Sequence, residues 1–485
     1  MKSLFARKPI ESIIRNSSNG SELKRTLGPL NLTTIGVGAI IGAGLFVLTG
    51  QAAAQFSGPA VFISFTIAAL ICLFAALCYA ELASCIPVAG SAYTYAYASL
   101  GEFAAWMIGW GLTLEYLLSA STVAAGWSGY FVSLLHDFGI HLPKTLTNPI
   151  CLYDHTSGWS ASGNLINLPA LVIIGGIGIL ISYGVKKASF FNTILVALKT
   201  AVILLFVFYG FGYINTENLQ PLIPENQGHF GQYGWSGIFR GAGFLFFAFI
   251  GFDALSTLAQ ESRNPQKDLP IGMLSSLGIS TIVYVIVAII LVGIVPFKEL
   301  GVADPIAVAF NALGPKFLWL RIVVKLAILA GLSSVILVLL LGQTRIWFAM
   351  AKDGLLPKAF GMTHAKTGTP IFSSLVATCI AMLMASFFPV EMLGQLVSMG
   401  ALLAFGIVCL GVLVLRYAEP ELIRPFKTPF FPWIPLLGSL SCFLQMALMP
   451  GSIWTQLLLW MAIGCTVYFT YGRTRSKLRL ASLNK

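Results

Sequence analysis

Long apolar stretches alternate with short polar segments along the whole chain of 485 residues. A membrane-crossing helix needs about 20 apolar residues, whereas a transmembrane β-strand is shorter and alternates apolar with polar positions. The stretches are too long and continuous for strands, so we interpret them as helices. We number them as spans 1 to 12, which cover residues 30–55, 59–84, 102–135, 168–185, 189–214, 236–261, 270–295, 317–350, 370–388, 391–416, 429–449 and 452–471.

This pattern predicts an all-α, polytopic membrane protein with 12 transmembrane helices. The composition agrees, because 57% of the residues are apolar and only 10% are charged. An average soluble domain is about half apolar and about 25% charged. So little charge cannot cover a water-soluble body of this size, which excludes the soluble and the disordered classes.

The net charge of +11 is distributed unevenly across the predicted membrane. With the N-terminus inside, 22 Lys and Arg residues fall on the cytoplasmic side, four on the outer side and three within the spans. This bias follows the positive-inside rule, so both termini are predicted to be cytoplasmic. The basic charge then faces anionic lipid headgroups, and no nucleic-acid partner is expected. The hydrophilic, basic start also predicts that no signal peptide is cleaved.

The polar segments carry no recognisable catalytic or metal-binding pattern. The five histidines lie in predicted loops without metal-ligand spacing, and neither an HExxH nor a GxSxG motif occurs. The eight cysteines imply no disulfide framework. We therefore expect no enzyme, no cofactor and no metal, which leaves a transporter, a channel or a receptor.

Two spans are interrupted near their centres. Span 1 contains Gly36-Val-Gly-Ala-Ile-Ile-Gly-Ala-Gly44, and span 6 contains Phe246-Phe-Ala-Phe-Ile-Gly-Phe-Asp253. Glycine costs about 1 kcal/mol relative to alanine inside a helix. The two spans enter from opposite sides, which is typical of a five-plus-five inverted repeat with substrate at the broken helices. The alternative is that Gly38-x-x-x-Gly42 only packs helices together.

The repeats give the predicted organisation of the chain. It comprises a cytoplasmic tail at 1–29, a first repeat at 30–214, a second repeat at 236–416, two further helices within 429–471 and a cytoplasmic tail at 472–485.

Three motifs in order resemble the amino acid–polyamine–organocation superfamily. They are Gly38-Ala-Ile-Ile-Gly-Ala-Gly44, Glu81-Leu-Ala-Ser-Cys-Ile-Pro-Val-Ala-Gly-Ser-Ala-Tyr93, and Gly251-Phe-Asp-Ala-Leu-Ser followed by Asn264-Pro-Gln-Lys-Asp-Leu-Pro270. Within the superfamily the chain is similar to bacterial relatives of the cationic amino acid transporters. The resemblance implies a LeuT-type fold with broken helices 1 and 6, amino acid substrates, proton coupling and a multi-pass location in the cytoplasmic (inner) membrane of a bacterium.

An amino acid offers a carboxylate and an ammonium, and a broken helix offers a partner for each. The amides at the start of the outer half of span 1 are expected to bind the carboxylate, since a helix N-terminus carries free N–H groups and positive dipole. Carbonyls at the ends of the half-helices are expected to bind the ammonium. The family places backbone contacts at the same positions. The amides belong to Gly42, Ala43 and Gly44, and the carbonyls to Ile40, Ile41, Phe247, Ala248 and Ile250.

Phe247 is also a candidate for an outer gate over the site, with an ordinary packing role as the alternative.

Lys199 lies near the middle of span 5, too deep to reach the membrane surface comfortably. An ammonium group removed from water releases its proton more readily than one in water. We expect Lys199 to be the proton-coupling residue, and the resemblance points the same way. The alternative is a structural lysine that bonds to carbonyls of span 1. A sodium-coupled carrier is disfavoured, because an ammonium and a sodium ion would compete for the same site.

Two deep carboxylates, Glu115 in span 3 and Asp253 in span 6, are further candidates for the substrate site. Either could attract the distal charge of a lysine or arginine substrate, or balance Lys199. The bulky run from Val335 to Leu341 in span 8 favours small neutral substrates such as alanine, or a broad range. The predicted function is therefore proton-coupled uptake of L-amino acids by alternating access, with an amino acid exchanger or a cationic amino acid transporter as alternatives. The sequence leaves open whether a small accessory membrane subunit binds.

Overall fold

The computed structural model describes residues 6–13, 27–88, 90–154, 158–182, 185–314, 318–364 and 369–483. Much of the predicted N-terminal tail, at 1–5 and 14–26, and the last two residues of the C-terminal tail lie outside the described residues. The same holds for seven of the basic residues in the charge distribution, namely Lys2, Arg15, Lys24, Arg25, Lys316, Lys366 and Lys485.

Helical structure is found in each of the twelve predicted spans. Spans 1 and 6 are interrupted, as the sequence predicts. The α-helices are Pro29–Ile40 and Thr49–Ala52 in span 1, Val61–Cys85 in span 2, Glu102–Asp137 in span 3, Leu168–Ser182 in span 4, Val185–Gly210 in span 5, Gly234–Leu245 in span 6, Pro265–Ile294 in span 7, Leu318–Lys352 in span 8, Ile371–Phe387 in span 9, Val390–Ala418 in span 10, Trp433–Ala447 in span 11 and Gly451–Val467 in span 12.

Shorter helical elements complete these spans and connect them. Four short α-helices are Ser91–Ser99, Pro305–Ala312, Arg473–Arg475 and Lys477–Leu483. The π-helical segments are Gly44–Leu48, Ala53–Ser57 and Tyr468–Gly472. The 3₁₀ segments are Gly58–Ala60, Lys144–Leu146, Phe211–Tyr213, Thr216–Leu219, Phe246–Phe249, Asp253–Glu261, Phe297–Leu300 and Lys358–Gly361.

The membrane character of the chain is confirmed by the length and composition of its helices. Within the described residues, seven helical segments are long and apolar enough to cross a membrane. Four shorter apolar helices accompany them, at Pro29–Ile40, Leu168–Ser182, Ile371–Phe387 and Trp433–Ala447. The protein is therefore a helical, polytopic membrane protein.

One feature departs from the all-α prediction. Strand Cys151–Asp154 pairs antiparallel with Gly158–Ala161, and Leu152 lies opposite Ser160. This hairpin belongs to the segment between spans 3 and 4, where the chain leaves the apolar stretches. Backbone groups need hydrogen-bond partners there, and a two-stranded pair supplies them outside a helix.

The spans pack so that the two interrupted helices lie inside the bundle. Span 7 packs against spans 1 and 2, and span 3 packs against spans 8 and 10. The buried apolar core runs continuously through these spans. Spans 3, 7, 8 and 10 consequently surround the breaks in spans 1 and 6.

Ion pairs fix the ends of several spans. Glu81, at the end of span 2, accepts hydrogen bonds from Arg416 at 2.8 and 2.5 Å and from the amide of Thr428 at 2.8 Å. The side chain of Glu81 is 2% exposed. At the end of span 8, Asp353 pairs with Lys8 at 2.7 Å in a partly exposed site.

Candidate substrate site at the two helix breaks

The first half of span 1 ends where the sequence predicts a break. Helix Pro29–Ile40 stops as Ile41 adopts an extended conformation, with φ −72° and ψ 103°. Helical hydrogen bonding resumes with the amides of Leu45 and Phe46, which both donate to the carbonyl of Gly42 at 3.1 Å. The amides that open a helix have no partner inside it, so Gly42, Ala43 and Gly44 present a positive helix end at this point.

Span 6 breaks at a matching point. Its helix passes through the 3₁₀ turn Phe246–Phe249 into Ile250, which is extended, with φ −61° and ψ 135°. Gly251 then adopts φ +127°, a conformation that residues with a Cβ rarely adopt. A Cβ at this position would also lie 2.9 Å from the carbonyl carbon of Ala39 in span 1. Glycine is therefore required both by the turn and by the close approach of the two spans.

A second glycine, Gly44, also allows close packing between the two broken spans. A Cβ on Gly44 would lie 2.3 Å from the Cα of Ala248. The absence of a side chain at Gly44 lets the backbone of span 6 pack directly on span 1. Gly44 therefore allows the close approach of the two broken spans.

Tyr284 of span 7 bridges the two breaks. Its hydroxyl lies 2.8 Å from the carbonyl oxygen of Ile40 and 2.7 Å from that of Ala248. The side chain is fully buried. Tyr284 is a site residue that the sequence analysis missed, because nothing in the sequence of span 7 shows which face meets the breaks.

A cavity lies at the breaks. The cavity brings together six of the predicted site residues, namely Ile40, Gly42, Ala43, Gly44, Phe247 and Ile250. The other lining residues are Ala39, Tyr116, Ser119, Val123, Gly251, Ala254, Val335, Val338 and Leu339.

Several of the carbonyls predicted to bind an ammonium already accept a hydrogen bond. Ile40 and Ala248 accept from Tyr284, and the Phe247 carbonyl accepts from the amide of Ile250 at 3.1 Å. Ile41 accepts from Lys199 at 2.8 Å. A carbonyl oxygen has two lone pairs, so each of them retains capacity for a ligand. Ile41 and Ala248 stand behind the cavity wall rather than in it.

The two candidate carboxylates also lie outside the cavity lining. Asp253 is fully buried and accepts from the amide of Gly251 and from the hydroxyl of Tyr116, both at 3.1 Å. Glu115 is equally buried, and neither of its oxygens has a hydrogen-bond partner among the described residues. The described residues that line the cavity include no charged side chain.

Lys199 lies behind the break in span 1. Its ammonium donates to the carbonyl of Gly38 and, at 2.8 Å, to that of Ile41, and its side chain is 1% exposed. Both hydrogen-bond partners within the described structure are backbone carbonyls. Lys325 in span 8 is different, because it pairs with the carboxylate of Asp137 at 2.6 Å. Lys325 is thus buried and paired with a carboxylate.

Phe247, the candidate gate, is positioned by a serine of span 10. The hydroxyl of Ser398 accepts from the amide of Phe247 at 3.1 Å and donates to the carbonyl of Phe244 at 3.0 Å. One side chain thereby satisfies two backbone groups freed by the change from α- to 3₁₀-helix. Ser398 was also missed by the sequence analysis.

The remaining cavity wall comes from spans 3 and 8. Span 3 contributes Tyr116, Ser119 and Val123, which share one helix face through their spacing of three and four residues. Span 8 contributes Val335, Val338 and Leu339. The bulky run in span 8 therefore does face the cavity.

Comparison with known proteins identifies the family. The amino acid permease family matches residues 27–470. The chain belongs to this family. The expected superfamily resemblance is therefore confirmed, and the protein is a membrane transporter rather than an enzyme.

Relatives that are similar to this permease carry different substrate names. A branched-chain amino acid permease of Bacillus subtilis is 43% identical, over 98% of this chain and 99% of the relative. A methylthioribose transporter of Bacillus subtilis is 40% identical, over 99% of this chain and 100% of the relative. A vacuolar cationic amino acid transporter of Arabidopsis thaliana is 36% identical, over 87% of this chain and 68% of the relative. The substrate must therefore be argued from the cavity itself.

Proposed function

We propose that this permease imports neutral L-amino acids together with protons across the cytoplasmic membrane of a bacterium. It does so by alternating access, with twelve transmembrane helices in a LeuT-type arrangement and both termini in the cytoplasm. The observation that carries this proposal is the cavity at two facing helix breaks, with free amides on one side and an uncharged wall on the other.

The backbone of the breaks recognises the two groups that all amino acids share. The amides of Gly42, Ala43 and Gly44 bind the carboxylate, because they combine free N–H groups with a positive helix end. The carbonyls of Ile40 and Ile250, which line the cavity, bind the ammonium. Phe247, which also lines the cavity, extends this acceptor surface, whereas Ile41 and Ala248 lie outside the lining.

The side chain of the substrate faces an aliphatic wall. Val335, Val338 and Leu339 supply apolar surface, and no described lining residue carries charge. A lysine or arginine side chain would lose its hydration there without gaining a counter-charge, which is costly. The cavity thus favours small aliphatic amino acids over cationic ones.

Glu115 and Asp253 act from behind this wall. Asp253 holds the Gly251 amide and the Tyr116 hydroxyl, and Tyr116 itself lines the cavity. Asp253 therefore positions the break in span 6 and the cavity face of span 3. Glu115 is buried next to Tyr116 in span 3 and does not line the cavity. We propose that it contributes to the site as a buried polar group and does not contact the substrate.

Lys199 couples substrate movement to the proton. As an ammonium it donates to Gly38 and Ile41, the carbonyls that end the first half of span 1, where a cation is favoured by the helix dipole. Loss of its proton removes that charge and weakens both bonds, which frees the first half of span 1 to move. The absence of a carboxylate partner within the described residues distinguishes Lys199 from Lys325.

Uptake into proteoliposomes tests this function. Radiolabelled alanine, valine, arginine and methylthioribose are compared with and without an inward proton gradient. We expect gradient-dependent accumulation of alanine and valine, with arginine and methylthioribose excluded. Preferred uptake of arginine would contradict the neutral substrate class. Fast counterflow without net accumulation would identify an exchanger instead.

A further inference from the structure

Ser119 differs from the other hydroxyl residues of span 3. The hydroxyls of Thr113, Ser121 and Thr122 donate to the carbonyls four residues earlier, at 2.9, 2.9 and 2.8 Å. The hydroxyl of Ser119 has no hydrogen-bond partner among the described residues. Its residue is 1% exposed to solvent and lines the cavity.

An unpartnered hydroxyl at this depth is unusual. Buried polar groups are nearly always hydrogen-bonded, because an unsatisfied one loses its hydration without compensation. A serine inside a membrane helix normally bonds back to the helix, as its three neighbours do. The Ser119 hydroxyl instead remains available to whatever fills the cavity.

The residues around Ser119 make its hydroxyl suited to recognise the substrate side chain. Among the described lining residues, Ser119 and Tyr116 are the two with polar side chains, and the Tyr116 hydroxyl donates to Asp253. The neighbouring wall is aliphatic, formed by Val123, Val335 and Val338. A hydroxyl in such a wall complements a short side chain that carries one hydrogen-bonding group and one methyl group.

We propose that Ser119 forms a hydrogen bond with the β-hydroxyl of threonine or serine, and that the permease prefers threonine to valine. The two substrates have nearly the same shape, so the preference comes from this single bond. The inference rests on the proposed amino acid transport function and deepens it by naming the substrate class.

Competition in counterflow separates this inference from proton coupling, because counterflow needs no proton gradient. The full-length protein is reconstituted with labelled alanine, and unlabelled threonine and valine compete for uptake. In wild type, threonine is expected to compete at a lower concentration than valine. Ser119→Ala should reduce this preference by about three- to tenfold, the effect of one net hydrogen bond.

Two control variants keep the test specific. Ser119→Thr retains a hydroxyl and should retain the threonine preference. Ser121→Ala removes a hydroxyl that bonds to the helix, and it should leave the threonine-to-valine ratio unchanged.

Three results would overturn the inference or its basis. An unchanged ratio in Ser119→Ala would show that Ser119 does not read the side chain. An equal loss of affinity for threonine and valine would show that the Ser119 hydroxyl binds the carboxylate or ammonium that both amino acids share. If neither amino acid competes in wild type, the proposed function itself fails.

Discussion

The ammonium of Lys199 in span 5 donates a 2.8 Å hydrogen bond to the carbonyl oxygen of Ile41, where the first half of span 1 ends. In the proposed mechanism this bond links the Lys199 proton to the inner half of span 1, which moves when the site opens inward. Proton release would then favour opening without any contact between the proton and the substrate.

Replacement of Lys199 by alanine is expected to abolish accumulation driven by a proton gradient. Exchange should persist at reduced rate, because the cavity lining is unchanged. The measurement is alanine uptake with an imposed gradient, beside counterflow without one. Lys325→Met is the matched control and should retain accumulation, because Asp137 keeps its second partner, Arg321. Normal accumulation by Lys199→Ala would contradict the proton-coupling role.

Gly44→Ala should reduce transport strongly. The added methyl group would lie 2.3 Å from the Cα of Ala248, a contact that the backbone must move to relieve. Overpacking of this kind costs about 1–3 kcal/mol, so we expect uptake to fall about tenfold or more. Gly278→Ala in span 7 meets nothing within 4 Å and should behave as wild type. Equal activity of the two variants would show that the breaks do not pack as described.

Tyr284→Phe should lower both thermal stability and transport. It removes the hydroxyl whose one proton is shared between the carbonyls of Ile40 and Ala248, and a buried acceptor without a partner costs about 1–3 kcal/mol. Melting in detergent and alanine uptake are measured together. Tyr130→Phe removes a bond to one carbonyl of span 1, that of Phe46, and does not connect span 1 to span 6. It should lower the melting temperature comparably and reduce uptake less; the reverse order would contradict the bridging role.

Leu339→Ala should shift the substrate preference toward larger side chains. Leu339 lines the cavity, and its truncation adds volume on the aliphatic wall. Competition by leucine relative to alanine should improve by about tenfold, within the range that hydrophobic pockets provide. The matched control is Leu341→Ala, at a position outside the lining. An unaltered preference in Leu339→Ala would show that span 8 does not set side-chain size.

Glu81→Ala should destabilise the folded protein strongly. Glu81 is buried with Arg416, and removal of one partner of a buried pair costs about 3–5 kcal/mol. Lys8→Ala removes a partly exposed ion pair with Asp353, which contributes about 0–1 kcal/mol. The melting temperature in detergent should therefore drop sharply for Glu81→Ala and little for Lys8→Ala. Similar melting temperatures for the two variants would show that the Glu81 ion pair does not stabilise the fold more than the Lys8–Asp353 pair does.

The sequence was sufficient to predict the parts of the site that depend on local chemistry. Glycines at 42, 44 and 251 mark breaks because they weaken a helix wherever they occur, and Lys199 is conspicuous because a charge deep in an apolar span needs a reason. The β-hairpin after Cys151 was not predicted, because short polar loops carry weak periodic signals.

The long-range partners could not be predicted from one sequence. Tyr284 and Ser398 resemble ordinary residues of apolar helices, and their roles arise only when spans 7 and 10 meet the breaks. The rotation of each helix about its axis decides this, and it is set by packing rather than by local pattern.

The most direct test of the account is proton movement during alanine transport. Wild type and Lys199→Ala are reconstituted into liposomes that contain a trapped pH-sensitive dye, and alanine is added outside without a pH gradient. The account predicts that the lumen of wild-type vesicles acidifies as alanine enters, and that any alanine that enters Lys199→Ala vesicles does so without acidification. Entry of alanine into wild-type vesicles at constant lumenal pH would contradict it.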